Sequence, residues 1–97
     1  MTNQFGARIK QLREEQEFLQ RQVAALLDID TPLYSKIERG ERIARKEVAI
    51  KLAGILRADK DDLLTLWLAD QVFDVVKNES VADEALKSVS KKIKGRK

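Results

Sequence analysis

Pro32, Ser35, Lys36 and Arg39 recur at i, i+3, i+4 and i+7, the spacing that puts side chains on one face of a helix. The row offers two cations, one hydroxyl and one rigid apolar ring, with no carboxylate among them. Lysine and arginine meet phosphate oxygens or ring acceptors, and serine can bond to either. The opposite side carries Leu33, Tyr34 and Ile37, an apolar stripe that would seat the helix on a core. The Tyr34 ring is expected to pack inward while its hydroxyl reaches the edge. Asp30 stands where an N-cap belongs, and Thr31 and Pro32 open the first turn, where a missing N–H costs nothing. Gly40 can take the left-handed conformation that closes a helix.

One element must hold this helix in place. Val23, Ala24 and Leu27 form one apolar face on a short helix that begins at Gln20, and Asp28 and Ile29 interrupt it. Aspartate is among the few non-glycine residues tolerated at positive φ, so a tight turn is feasible at Asp28. Residues 20–40 therefore read as a helix-turn-helix whose second helix presents small polar groups and cations to something outside the chain.

On these residues the chain resembles the Cro/repressor-type (Xre-like) helix-turn-helix regulators. Asp30 to Gly40, ending in Ser35-Lys-Ile-Glu-Arg-Gly40, is similar to their recognition helix, and Gln20 with Val23-Ala24 is similar to the start of their first motif helix. The resemblance covers about residues 5–63. It implies an all-α, five-helix repressor-like DNA-binding domain over residues 1–63. It also implies that Thr31, Pro32 and Lys36 read bases, that Gln20 and Arg39 grip phosphates, and that Arg13 pairs with Glu38. The chain departs from the family in having Glu17 where glycine is usual, Leu19 where serine or threonine is usual, and Asp28 in place of the turn glycine.

Side-chain chemistry refines these roles. A major groove about 12 Å wide admits one helix, and the helix's N-terminal residues face base edges. Thr31 can bond a base or touch a thymine methyl, Pro32 can make only apolar contact, and Ser35 and Lys36 can each reach a base or a phosphate. Arg42 and Arg45, in the connector that follows Gly40, can reach the neighbouring backbone phosphates. The expected partner is double-stranded DNA, read by a homodimer on a pseudo-palindrome. A restriction–modification controller or an autorepressor would suit so small a chain. The alternative is an antitoxin-like module whose motif only tethers a protein complex to DNA.

Composition narrows the classes further. The chain has 97 residues and contains neither histidine nor cysteine. The commonest general base, nucleophiles and zinc ligands are therefore missing, so an enzyme is disfavoured and no cofactor or metal is expected. Met1-Thr-Asn-Gln-Phe5 has no signal-peptide pattern and no apolar run approaches a membrane span, which makes a cytoplasmic protein without membrane contact the expectation. Charge is segregated. Residues 1–58 hold 11 Lys/Arg against 8 Asp/Glu, residues 59–79 hold 2 against 6, and residues 80–97 hold 6 against 2. A basic front suits a protein that meets phosphates with one part only.

The rest of the chain reads as helices. Phe5, Ile9 and Leu12 mark a buried stripe on a helix from about Asn3 to Gln16. Val48, Leu52, Ala53 and Leu56, widened by Ile55, mark another from about Arg45 to Leu56. Asp59-Lys-Asp-Asp62 reads as a helix start; a calcium loop would need a distal glutamate that is missing. The next helix, Leu63 to Lys77, is apolar on more than one side and must be covered on more than one side. Leu66, Trp67, Val72, Phe73 and Val76, with Leu86 of a further helix, are the expected dimer contacts. The competing reading of Trp67 and Phe73 is intramolecular core. Ser80-Val-Ala-Asp83 reads as the start of this last, C-terminal helix, an amphipathic segment with Ala82, Ala85, Leu86, Val89 and Ile93 on its stripe. Residues 64–93 thus form a helical extension that must dock on the preceding helix or across a dimer. Residues 94–97 end the chain as a basic tail.

Overall fold

A computed structural model describes residues 3–96; Met1, Thr2 and Lys97, and with Lys97 the end of the basic tail, lie outside the described residues. Six helices follow one another: α1 (Gln4–Glu15), α2 (Gln20–Leu27), α3 (Thr31–Glu38), α4 (Lys46–Ile55), α5 (Lys60–Val76) and α6 (Ala82–Gly95). No strand occurs among the described residues, so the fold is all-α. The first five helices enclose one core built from Phe5, Ile9, Leu12, Val23, Leu27, Tyr34, Ile37, Leu52, Leu56 and Leu63, with four alanines filling between them. α1 packs on α3 and α5, α2 on α3 and α4, and α4 on α5.

Local chemistry sets the helix starts. The Asn3 side chain accepts from the Gly6 N–H, Asp30 from Leu33 at 2.7 Å, and Asp59 from Asp62 at 2.9 Å. The Asp59 run is therefore a capped helix start. Leu19 has no side-chain acceptor to cap α2. Half of a capping box survives there nonetheless, because the Gln22 carbonyl accepts the Leu19 N–H at 2.7 Å. The corners that follow α1, α2 and α4 each place a non-glycine residue in the left-handed region: Glu17 at φ 60°, Asp28 at 59° and Arg57 at 56°.

Two close approaches fix α1 against the end of α3. Gly6 lies against the carbonyl oxygens of Ile37 and Glu38; a Cβ added there would stand 2.9 Å from the former and nearer still to the latter. Gly40, at φ 77°, lies beside the Asn3 side chain, which a Cβ would meet at 2.6 Å. α5 grips the same first turn of α1 from another side. The Asp70 carboxylate accepts from the Gln4 N–H at 3.1 Å and the Phe5 N–H at 2.8 Å, two donors that α1 itself cannot satisfy.

The C-terminal region differs from expectation in two respects, and one of the two alternatives for its last helix falls away. Ser80 does not cap α6; Val81 occupies that position and provides no side-chain bond. The helix runs through Lys94 and Gly95, which shortens the expected tail. α6 does not dock on α5, for none of its residues is buried. The radius of gyration, 15.1 Å, exceeds the roughly 13 Å of a compact chain of this length, in keeping with a helix held away from the core. α5 itself continues unbroken across residue 63, and its first half belongs to the core.

Candidate nucleic-acid interface

α3 exists as a helix because Asp30 caps it, Pro32 fits its first turn and Gly40 lets the chain turn away. Tyr34, Ile37 and Glu38 face inward and are buried. Pro32, Lys36 and Arg39 are exposed, and Thr31 and Ser35 are half-buried. The row read from sequence is therefore accessible.

The end of α3 is anchored by ions. Arg13 grips Glu38 with two hydrogen bonds, Nε to Oε2 at 2.6 Å and Nη2 to Oε1 at 3.1 Å, and its Nη1 donates to the Phe18 carbonyl at 2.9 Å. The hydrogen bond from Arg13 to Glu38 raises the arginine's already high pKa, against the opposing effect of burial. For Glu38, burial alone would raise the pKa; the bonds from Arg13 and its polar neighbours outweigh that effect and hold the carboxyl below its ordinary value. One guanidinium thus ties α1, the α1–α2 corner and α3 together.

Tyr34 overturns one expectation. Its ring packs inward, but its hydroxyl does not reach the edge: the residue is fully buried, and Oη, beside the Glu38 carboxylate, has no partner of ordinary hydrogen-bond geometry among the described residues. Burial, reinforced by the adjacent Glu38 carboxylate, pushes the phenol pKa far up. The hydroxyl therefore stays protonated and makes no contact with solvent.

Gln20 is half-buried and donates Nε2 to Glu38 Oε1 at 3.0 Å. That bond holds the side chain at the start of α2, where the first backbone N–H groups lack intrahelical acceptors and favour an anion. Lys10, Gln20, Ser35 and Arg39 line one open concavity of about 410 Å³ beside α3. Sequence reading did not single out Lys10, whose place next to Arg39 depends on how α1 crosses α3. Glu38 also borders this hollow, but Arg13 balances its charge.

Arg39 is already occupied. Its Nε lies 2.7 Å from Glu41 Oε2, and Nη1 donates to Ser35 Oγ. The hydrogen bond with Glu41 raises the Arg39 pKa and lowers that of Glu41. Arg42 and Arg45 are exposed and form no ion pair among the described residues. Both line a second groove, of about 560 Å³, with Leu33, Ile43 and Val48.

Leu66 and Trp67, read above as dimer contacts with core as the competing reading of Trp67, lean toward the core. Both are half-buried against the core, and the indole N–H donates to the Ala44 carbonyl at 2.8 Å. The exposed apolar residues of α5 are Leu68, Val72, Phe73 and Val75, while Val76 is half-buried. Leu86 is exposed on α6 together with Val89 and Ile93.

A family model described as a helix-turn-helix domain matches residues 4–66. The chain belongs to this family, whose members are of the Xre/Cro-like type, DNA-binding regulators that are typically not enzymes. No curated protein and no solved structure matches the chain. No described helix is long and apolar enough to cross a membrane.

Proposed function

We propose that the protein is a sequence-specific regulator of transcription that binds double-stranded DNA as a homodimer on a pseudo-palindromic operator. The observation that carries this reading is the accessible outer face of α3 on a helix clamped by the Arg13–Glu38 pair. Thr31, Pro32, Ser35 and Lys36 meet base edges in the major groove. Gln20, Arg39, Arg42 and Arg45 hold the flanking phosphates, and Lys10 joins them from α1. A helix fixed at both ends delivers these groups at a set angle, which base-edge hydrogen bonds require.

One such helix reads only a few base pairs, so two copies are needed, with half-sites about 34–36 Å apart. Residues 1–63 supply the reading domain and residues 64–93 the dimer contacts, through Val72, Phe73, Val76 and Leu86. Regulation then follows from occupancy of a promoter by a small chain of this kind, as in a restriction–modification controller or an autorepressor. Selection from random duplex oligonucleotides tests the proposal. The expected result is a motif with two inverted halves; recovery of no motif overturns it.

A second reading has the same motif tethering a protein complex, in the manner of an antitoxin. The exposed apolar residues Leu68, Val72, Phe73 and Val75 favour it to the extent that they suit a foreign partner. The two readings diverge on purification. A regulator sediments alone as a stable dimer and selects an operator, whereas a tethering module does neither without its partner.

A further inference from the structure

α6 is a 14-residue helix with an apolar stripe and nothing on it. Leu86, Val89 and Ile93 are 38%, 51% and 51% exposed, and no α6 residue is buried. A lone helix of this length is marginal in water, so the stripe requires a cover. Its charge says which. Asp83 and Glu84 occupy the first turn, while Lys91, Lys92 and Lys94 crowd the last. Two such helices side by side in the same direction would set like charges against like. Reversed, they set the acidic end of each against the basic end of the other.

We infer that α6 pairs with α6 of a second copy, antiparallel, about a two-fold axis passing between Lys87 and Ser88. This rests on the homodimer reading above and specifies its geometry. In that register Ala82 lies level with the partner's Ile93 and Leu86 with the partner's Val89, so small meets large and apolar meets apolar along the seam. Asp83 and Lys94 are three turns apart on the same side of the stripe. Across an antiparallel pair, residues on the same flank face each other, so Asp83 approaches the partner's Lys94, and symmetry repeats the contact. The contact is isologous and closes on itself, leaving no stripe free for a third copy.

The chain has no cysteine, so a single introduced thiol carries a single nitroxide. Gly95→Cys is free of steric conflict, because a Cβ there meets nothing within 4 Å, and Ser88 is exposed beside the stripe. In the antiparallel pair the Ser88→Cys labels are nearly level with each other, while the Gly95→Cys labels are offset by about 22 Å along the axis at 1.5 Å per residue. The expected result in the full chain is strong short-range spin coupling at Ser88→Cys and a long distance at Gly95→Cys, both lost on dilution with unlabelled protein. Short distances at both positions overturn the polarity but keep the dimer. Coupling at neither position, in a protein that sediments as a dimer, overturns α6 pairing and leaves assembly to α5. Coupling at neither position in a monomer removes the pairing and the homodimer together. Co-sedimentation of that monomer with anionic vesicles would assign the stripe to a lipid surface.

Discussion

Gly6 and Glu38 meet backbone to backbone: the Gly6 α-carbon rests against the Glu38 carbonyl, with no room for a methyl group between α1 and the last turn of α3. Gly6→Ala would favour α1 by propensity, yet it must push the two helices apart. The expected outcome is a net loss of about 1–3 kcal/mol, the usual cost of overpacking, seen as a lower urea midpoint with an unchanged slope. Equal or greater stability would show that α1 and α3 slide freely.

The Arg13–Glu38 pair is buried and bidentate, so removing one partner strands the other. Arg13→Ala and Glu38→Ala should each cost about 3–5 kcal/mol, whereas Arg13→Met with Glu38→Leu should recover most of the loss. Chemical denaturation of the three variants checks this. A double variant no better than the singles would mean that the bonds to the Phe18 carbonyl and from Gln20, and not the pair itself, carry the stability.

Acid should unfold the protein through Glu38. Its folded pKa lies below the ordinary glutamate value of 4.5, so the carboxylate contributes stability above that value and loses it as pH falls through the folded pKa. Thermal melts of wild type should therefore fall more steeply with decreasing pH below 4.5 than those of Glu38→Gln. Parallel curves would remove Glu38 from the acid limb.

The buried Tyr34 hydroxyl has no partner of ordinary hydrogen-bond geometry among the described residues. An unsatisfied polar group of this kind costs about 1–3 kcal/mol. Tyr34→Phe keeps the ring and deletes the cost, so it should raise stability by about 1 kcal/mol and remove the destabilisation expected as pH rises past 10. A loss of stability would reveal a working bond from the hydroxyl to Glu38.

Base reading and phosphate holding separate in binding assays. Lys36→Ala should change the base preferred at one operator position, while Arg39→Ala should weaken all sequences alike and reduce the salt slope by about 1. Glu41→Gln frees Arg39 from its carboxylate and should tighten binding to every sequence. Anisotropy titrations against a panel of single-base variants at several salt concentrations distinguish these outcomes.

What could be read from the chain was mostly what is encoded locally. Asp30, Pro32 and Gly40 each announce α3 within a few residues, and Asp28 takes the left-handed turn that its type allows. The positions that escaped depend on partners far away in sequence. Gly6 looks like a weak spot in a helix until α3 crosses it. Asp70 reads as one more surface acid until α1 brings it two bare N–H groups. Trp67 could be read as interface anchor or as core, and only its indole bond to the Ala44 carbonyl favours the core. Ser80 has the right type for a cap, but the turn after α5 ends one residue too late to use it.

The Asp70 clasp has a mechanical consequence. α5 holds α1 by its first two amides, and α1 in turn holds α3 through Gly6 and Arg13. A force that tilts α5, such as the arrival of a second subunit on its outer side, must either tear the carboxylate from those amides or drag the α1 rod along. In the second case the pitch of α3 is adjusted through α5, whose Asp70 and Phe73 border the same hollow as Arg39 and Gly40.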